Sequence, residues 1–241
     1  AIAEVVRVFE DPDITHVAGA PNPVSDIDVI EYELILKDLE TVEKRLQSVE
    51  SDVKGRKKGA EEQKMILEKM RETLKNGRLL AHPSADERAN IRENVGVSTD
   101  IQLLTAKPII YIFNVSEKHI QNHWQPDQEL GKKIEERPRV SISAKIESEL
   151  AELSREEKKE YMETLGIKQS GLDQLIQTSY KTLGLITFFT TGEDETRAWT
   201  IPKDSRAPRA GRAIHSDFEE KFIRAEVINL QKLMEAGSWP Q

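Results

Sequence analysis

The residues best suited to chemistry lie where two apolar segments end. Lys107-Pro-Ile-Ile-Tyr-Ile-Phe runs into Asn114-Val115-Ser116-Glu117, and Arg139-Val140 runs into Ser141-Ile142-Ser143-Ala144-Lys145. A carboxamide holds two neighbouring groups on a purine edge, and adenine N6 and N7 suit it best. Many nucleotide-binding proteins carry Asn-Lys-x-Asp at such a strand end. The Asp there accepts from guanine N1–H and the exocyclic amine. Here Val115 stands in place of Lys and Glu117 in place of Asp. The longer, displaced carboxylate removes the main reason to prefer guanine, and Val115 offers an apolar face to a base. A Ser-Ala-Lys loop usually supplies backbone groups to the base edge. Each motif alone is weak, because Asn-x-x-Glu also suits an ordinary strand-to-helix turn capped by Asn114 or Ser116. Both loops follow strands, in the right order and roughly 25–30 residues apart, which favours a nucleotide base at the carboxyl ends of an α/β sheet.

Such a sheet needs strands and covering helices, and the chain predicts both. Residues 1–9, with Val5-Val6 and Val8-Phe9, predict a buried strand. A loop with Pro12, Pro21 and Pro23 follows, and Ser25 or Asp26 is expected to cap a helix. Its apolar positions are Ile27, Ile30, Leu34, Leu39, Val42, Leu46, Val49 and Val53. From Leu39 they step as a heptad seam. Lys-Gly-Arg-Lys-Lys-Gly at 54–59 interrupts it, and Ala60, Gln63, Leu67, Met70 and Leu74 resume it. The expectation is an antiparallel helical hairpin. Ser84 and Glu87 form a capping box for a short helix over 85–95. Ser154 and Glu157 repeat the box, and Ser170 caps a helix that Gly184 ends. After Leu185 the segments LITFFTT, TRAWTIP and FIRAEVIN predict strands of a small module, with a short helix near Asp217–Lys221.

The composition excludes several classes. The chain has 241 residues, a net charge of −8 and no cysteine, so it has no disulfide framework and no thiolate metal site. The acidic balance argues against wholesale coating of nucleic acid, while local basic patches could still bind it. No apolar run approaches the roughly 18–20 residues of a membrane span. The first ten residues lack a basic leader or cleavage site, so a cytoplasmic protein is expected. His119 and His123 have metal-pair spacing but no third ligand in range, and a solvated surface suits them better. Two cationic clusters suit phosphate contacts: Lys54, Arg56, Lys57 and Lys58 at the hairpin tip, and Arg206, Arg209 and Arg212, with Lys203, in a Pro- and Gly-containing loop. That second segment is expected to be extended or turning rather than helical.

Longer stretches carry a more specific signal. RVFEDPDITHVAG, NVSE, AKIESELAELSREEKKEYMETLGI, SGLDQLI, LGLITFFTTGEDETRAWTI and IHSDFEEKFIRAEVI together resemble the YchF family, also called Obg-like ATPases, a branch of the P-loop GTPase superfamily. The resemblance implies an α/β fold. It comprises part of a Ras-like P-loop nucleotide-binding domain (1–25 and 100–184), an inserted antiparallel helical hairpin (26–99), and a C-terminal TGS module of ubiquitin-like β-grasp shape (185–241) whose final strands are expected after Gln241. It implies a ribosome-associated protein that binds and hydrolyses ATP, and GTP less well. Carried over by residue, Asn114 and Glu117 fall on the altered specificity motif and Val115 lies against the base. Phe9 falls where the family packs an aromatic near adenine, and Ser143 and Ala144 fall on the last base-contacting loop. The sequence contains no G-x-x-x-x-G-K-[ST]. The phosphate cradle, the switch segments and the Mg²⁺ ligands are therefore expected before Ala1. No catalytic or metal-binding residue is expected within 1–241, and this segment alone is expected to be inactive. The implied partners are the ribosome and its RNA phosphates, with neither membrane nor DNA. The alternative is a non-catalytic RNA- or ribosome-binding module that nucleotide merely switches.

Overall fold

A computed structural model describes residues 1–16, 19–81, 101–192 and 195–237. The capping box at Ser84–Glu87, its helix over 85–95 and His82 lie outside the described residues. The chain divides into two compact units, Ala1–Thr182 and Leu183–Gln241.

The first unit is built on a parallel sheet of β1 (Ile2–Arg7), β2 (Ile109–Asn114) and β3 (Arg139–Ile142), in that spatial order. β2 is the middle strand. Its Ile-Ile-Tyr-Ile-Phe run is buried on both faces, as a covered parallel strand requires. Tyr111 and Phe113 join the main core on one face. Ile112, Val140 and Ile142 form a smaller cluster on the other, closed by Leu175.

Between β1 and β2 the chain makes two packed helices, α1 (Pro23–Lys54) and α2 (Ala60–Lys75), joined at residues 55–59. α1 starts earlier than the sequence predicted. Asn22, not Ser25 or Asp26, is the N-cap: its side chain accepts from Ser25 N–H at 3.1 Å, and Pro23 occupies the first turn, where a missing N–H costs nothing. Val42, Leu46 and Val49 meet Leu67, Met70 and Leu74 in one buried cluster, as the heptad stepping predicted. Nearer the sheet the seam changes. Ile30 is exposed, and the buried line runs Ile27, Glu31, Ile35, Asp38, Val42.

The two acids on that line tie the hairpin to the sheet unit. Asp38 is 1% exposed and accepts from Leu104 N–H at 2.9 Å, Thr105 N–H at 2.6 Å and Thr105 Oγ1 at 2.6 Å. Glu31 accepts from the Tyr111 hydroxyl at 2.7 Å and pairs with Lys133 at 2.6 Å and Arg137 at 2.5 Å. Burial alone would raise the Glu31 pKa. The bonds from Lys133 and Tyr111 and the Arg137 charge nevertheless hold it below the usual value. Lys133 also reaches Asp28 at 2.7 Å. Glu4, in register with Tyr111 across the strand pair, is left out: its carboxylate oxygens are buried with no hydrogen-bond partner among the described residues. Burial, then the Glu31 charge, pushes its pKa up to about 7, against the pull of Lys133 and Arg137.

Short helices complete this unit: α3 (Glu117–Gln121), α4 (Gln128–Ile134), α5 (Ala144–Glu152), α6 (Arg155–Thr164) and α7, which runs from Gly171 to Leu183. α6 begins with the expected capping box of Ser154 and Glu157. Ser170 Oγ accepts from Asp173 N–H at 3.1 Å, and Gly184, at φ 61, follows the last turn of α7. Gly171 has to be glycine. A Cβ there would stand 2.8 Å from Ile142 Cγ1, so α7 could not sit so close to β3.

The second unit pairs β4 (Leu185–Thr191) with β5 (Thr196–Pro202) antiparallel, followed by α8 (Ala207–Ile214), α9 (Ser216–Glu220) and α10 (Leu230–Ala236). Two expectations fail here. FIRAEVIN forms no strand, because no third strand pairs with it among the described residues. Arg206, Arg209 and Arg212 do not sit in an extended loop: α8 starts just after Arg206, with Pro208 in its tolerant first turn. Trp199 is half-buried. Its indole N–H donates to Thr190 Oγ1 at 2.8 Å, and the Arg197 guanidinium lies 4.5 Å from its ring centre.

Two tests follow from the buried acids. Asp38→Ala orphans two backbone N–H groups and a hydroxyl, so urea unfolding should show a loss of about 3 kcal/mol. Asp38→Glu, which cannot keep all three bonds, should fall between the two. Glu4 has the opposite sign. Its folded pKa is raised above the unfolded value, so it costs nothing below the unfolded pKa of 4.5 and destabilises progressively as pH rises through about 7. Glu4→Gln removes that ionisation and should stabilise by about 2–3 kcal/mol more at pH 8 than at pH 5. Equal effects at both pH values would show that Glu4 ionises without penalty.

Candidate functional site

The parallel register aligns the carboxyl ends of all three strands. Arg7 stands opposite Asn114, and Asn114 opposite Ile142. The segments leaving β1, β2 and β3 therefore start side by side, and two main-chain bonds lock them together. Val8 N–H donates to Asn114 C=O at 3.1 Å, and Val115 N–H donates to Ile142 C=O at 2.9 Å.

Asn114 joins the two motif loops directly. Its Oδ1 accepts from Ala144 N–H at 3.1 Å. A main-chain N–H can only donate, so that contact fixes the carboxamide with oxygen towards Ala144 and leaves its NH₂ pointing elsewhere. Glu117 opens α3, half-buried, and among the described residues its one hydrogen bond is from Gln121 Nε2 at 3.5 Å. Between them Ser116 caps α3, accepting from His119 N–H at 3.3 Å. Ser116 thus makes the turn, while Asn114 gives its oxygen to Ala144 and keeps its NH₂ outside that bond. Ser143 is buried and caps α5, its Oγ 3.5 Å from Ile146 N. Ala144 beside it is exposed.

Val115 lies elsewhere than expected. It is 1% exposed and packs in the main core, so its side chain does not present an open apolar face. Its strand-end position turns it inward, towards the Tyr111 and Phe113 side of the sheet, while its N–H completes the ladder. Phe9 is half-buried at the edge of the loop leaving β1. Sequence reasoning missed what holds it. Arg7 donates from Nε to Phe9 C=O at 2.9 Å, from Nη1 to Ile14 C=O at 3.0 Å and from Nη2 to Asp11 C=O at 3.3 Å. Its guanidinium also lies 4.9 Å from the Phe9 ring centre. An arginine closing a strand just before a Pro- and Asp-rich loop was the available signal. A second missed pair is Tyr161 and Glu149, joined at 2.5 Å; the bond to Glu149 raises the tyrosine pKa to about 12.

The cationic clusters differ in kind. At the hairpin tip Lys54, Arg56, Lys57 and Lys58 are all exposed, and Lys57 reaches Asp52 at 3.4 Å. The other three meet no carboxylate among the described residues. In the second unit, Arg209 and Arg212 share Glu219 at 3.6 and 3.0 Å, one helical turn apart, and Arg206 stands exposed at the start of α8. Around His119 and His123, as elsewhere among the described residues, no group of three or more His, Asp or Glu could hold an ion.

Comparison with known proteins gives a consistent result. The family model YchF-GTPase_C, described as "Protein of unknown function (DUF933)", matches residues 185–241. The chain is 44% identical over 243 residues to the protein named ribosome-binding ATPase YchF of Bacillus subtilis, covering 98% of this chain and 64% of that one. Its identity to the protein of the same name from Pasteurella multocida is 40% over 250 residues, covering 99% and 67%. The solved structure of the Schizosaccharomyces pombe YchF GTPase matches with a TM-score of 0.77 at 33% identity, covering 98% of this chain and 64% of that one. The chain therefore spans about two thirds of the length of the curated relatives it matches. Similarity of this depth, sustained from the first strand through the motif loops to the second unit, shows that this chain belongs to the YchF family.

Proposed function

We propose that this chain is the base-reading and partner-binding part of a ribosome-associated ATPase. The observation that carries the reading is the bond from Ala144 N–H to Asn114 Oδ1. It leaves the Asn114 NH₂ as a donor, with the Glu117 carboxylate as an acceptor three residues on. Adenine offers the complement, a ring-nitrogen acceptor beside the N6 amine donor, whereas guanine presents two acceptors on its N7/O6 edge. ATP is then preferred over GTP. Ala144 closes the base edge, Phe9 lies near the ring on the β1 side, and Ser143 acts by holding α5 in place. Val115 supports the loop from within the core. The names and lengths of the relatives support the wider role, and the β- and γ-phosphates and Mg²⁺ are assigned to residues outside 1–241. Hydrolysis in this superfamily rests on positioning and electrostatics, so the contribution of this chain is to fix where the nucleotide lies.

On the same reading, residues 1–25 and 100–184 are part of a Ras-like domain, 26–99 are its helical insertion and 185–241 are a TGS-type β-grasp module. The antiparallel β4–β5 pair followed by α8, together with the family match over the same residues, supports that last assignment. Ribosomal RNA phosphates are the proposed partners of the cationic clusters. The hairpin tip is favoured because Lys54, Arg56 and Lys58 are not matched by carboxylates, whereas Arg209 and Arg212 are held by Glu219. A cytoplasmic location follows from that partner.

In the full-length protein, Asn114→Ala removes one donor to the base and the bond to Ala144, and should weaken ATP binding by about 1–2 kcal/mol. Glu117→Asp should move preference towards guanine by about 1 kcal/mol. Titrating ATP and GTP against wild type and both variants decides the matter, and a wild type that strongly prefers GTP sinks the assignment of the loop. For the partner, replacing Lys54, Arg56, Lys57 and Lys58 with Ala should flatten the slope of log ribosome affinity against log salt by about three units. Co-sedimentation across a salt series reads this directly. An unchanged slope would move the contact to Arg206 and its helix.

A further inference from the structure

Among the described residues β3 is an edge strand, and none of them pairs with its outer side. Tyr111 N–H donates to Pro138 C=O and Val115 N–H to Ile142 C=O, so these alternate residues turn their backbone groups towards β2. The residues between them, Arg139 and Ser141, turn their N–H and C=O groups the other way. Those groups have no partner among the described residues. A cavity of about 550 Å³ follows this edge. One wall comes from Gly166–Gln169 and the start of α7, and the other from His119 of α3 and Trp124 just after it. His119 contributes a buried Nδ1 without a hydrogen-bond partner among the described residues.

We propose that the open edge of β3 binds an extended, acidic peptide segment of another protein by strand addition. The floor of the groove selects a strand. Outward-facing groups of Arg139 and Ser141 recur every second residue, about 6.6 Å apart, a spacing that another extended backbone reproduces. The cavity is of the size that encloses a short peptide rather than a whole domain. Charge selects the side chains. Arg139 and Lys168 are exposed on the groove. The one carboxylate lining it, Glu147, is committed to the start of α7, accepting from Gly171 N–H at 2.6 Å and Leu172 N–H at 3.3 Å. In a chain of net charge −8, this leaves a locally cationic slot. Natural edges are usually blunted by charge, proline or cover. Here Pro138 and Arg139 guard only the entrance, and Ser141, the inner outward-facing residue, is small and polar.

The test uses the full-length protein and fluorescein-labelled peptides of about five residues, long enough to span the edge. One peptide alternates glutamate and valine, a second replaces glutamate with lysine, and a third places proline at its centre. Fluorescence anisotropy should show the acidic peptide binding at least about tenfold tighter than either of the others. Its binding should slow hydrogen exchange at the Arg139 and Ser141 amides. Ser141→Pro removes an outward donor at a position where an edge strand tolerates proline, and should weaken the acidic peptide by about tenfold or more. If that variant unfolds, the surface reversal of Arg139 and Lys168 to Glu replaces it and should exchange the order of the acidic and lysine peptides. Equal binding of all three peptides, no saturable binding, or protection at other amides overturns the proposal. None of these readouts depends on nucleotide.

Discussion

The carboxylate of Glu31 is where the helical hairpin and the sheet become one body. It comes from α1, yet its partners come from the middle strand, from α4 and from the turn before β3. An acid buried this deeply is tolerable only when cations and hydroxyls surround it, and here they come from elements distant in sequence. The bond is therefore selective. Apolar contact would let a hairpin slide by a turn on the sheet, whereas Glu31 fits one position. Asp38, two turns further along the same line, adds a second fixed point by gripping the main chain at Leu104 and Thr105. Two polar anchors on one helix face set both its height and its rotation.

The motif loops inherit that rigidity through β2. Tyr111, which holds Glu31, and Asn114, which holds Ala144, are on the same strand, with Phe113 packed between them against Trp124. A strand gripped at one end by an ion network and at the other by a ladder bond has little freedom to rotate its terminal carboxamide. Arg7 does the same for the loop leaving β1, spanning it with three bonds to carbonyl groups. The shape of the loops at the strand ends is thus decided largely by side chains that never face them.

Much of this was legible in the residues, and the failures have identifiable causes. The strands at 1–9 and 107–113, the heptad stepping from Leu39 and the capping box of Ser154 and Glu157 are local signals, and the structure realises them with small shifts of boundary. Glu31 and Asp38 were passed over because only the apolar positions of the helix were followed. Their phase was available all the same: 27, 31, 35, 38 and 42 step by four, four, three and four along one stripe. Val115 was read as an apolar face for a base, but its N–H continues the ladder to Ile142 and its side chain packs in the core. Around Arg206–Arg212, Pro208 and Gly211 were taken as helix breakers, but proline in a first turn breaks nothing. FIRAEVIN has the alternation of a strand, and alternation does not specify a partner.

The long excursion between β1 and β2 also has a kinetic meaning. These strands pair residue for residue from Ile2 with Ile109 to Arg7 with Asn114, so the sheet has to close a loop of about a hundred residues before its first parallel contact. A featureless chain of that length would make closure slow. The hairpin shortens it: α1 and α2 need only a five-residue tip to meet, and once folded they return the chain to where it left. Helix pairing within the arm thus lowers the loop-closure cost of the non-local sheet, and Glu31 and Asp38 are the clasp that fastens the arm to the strands it brings together.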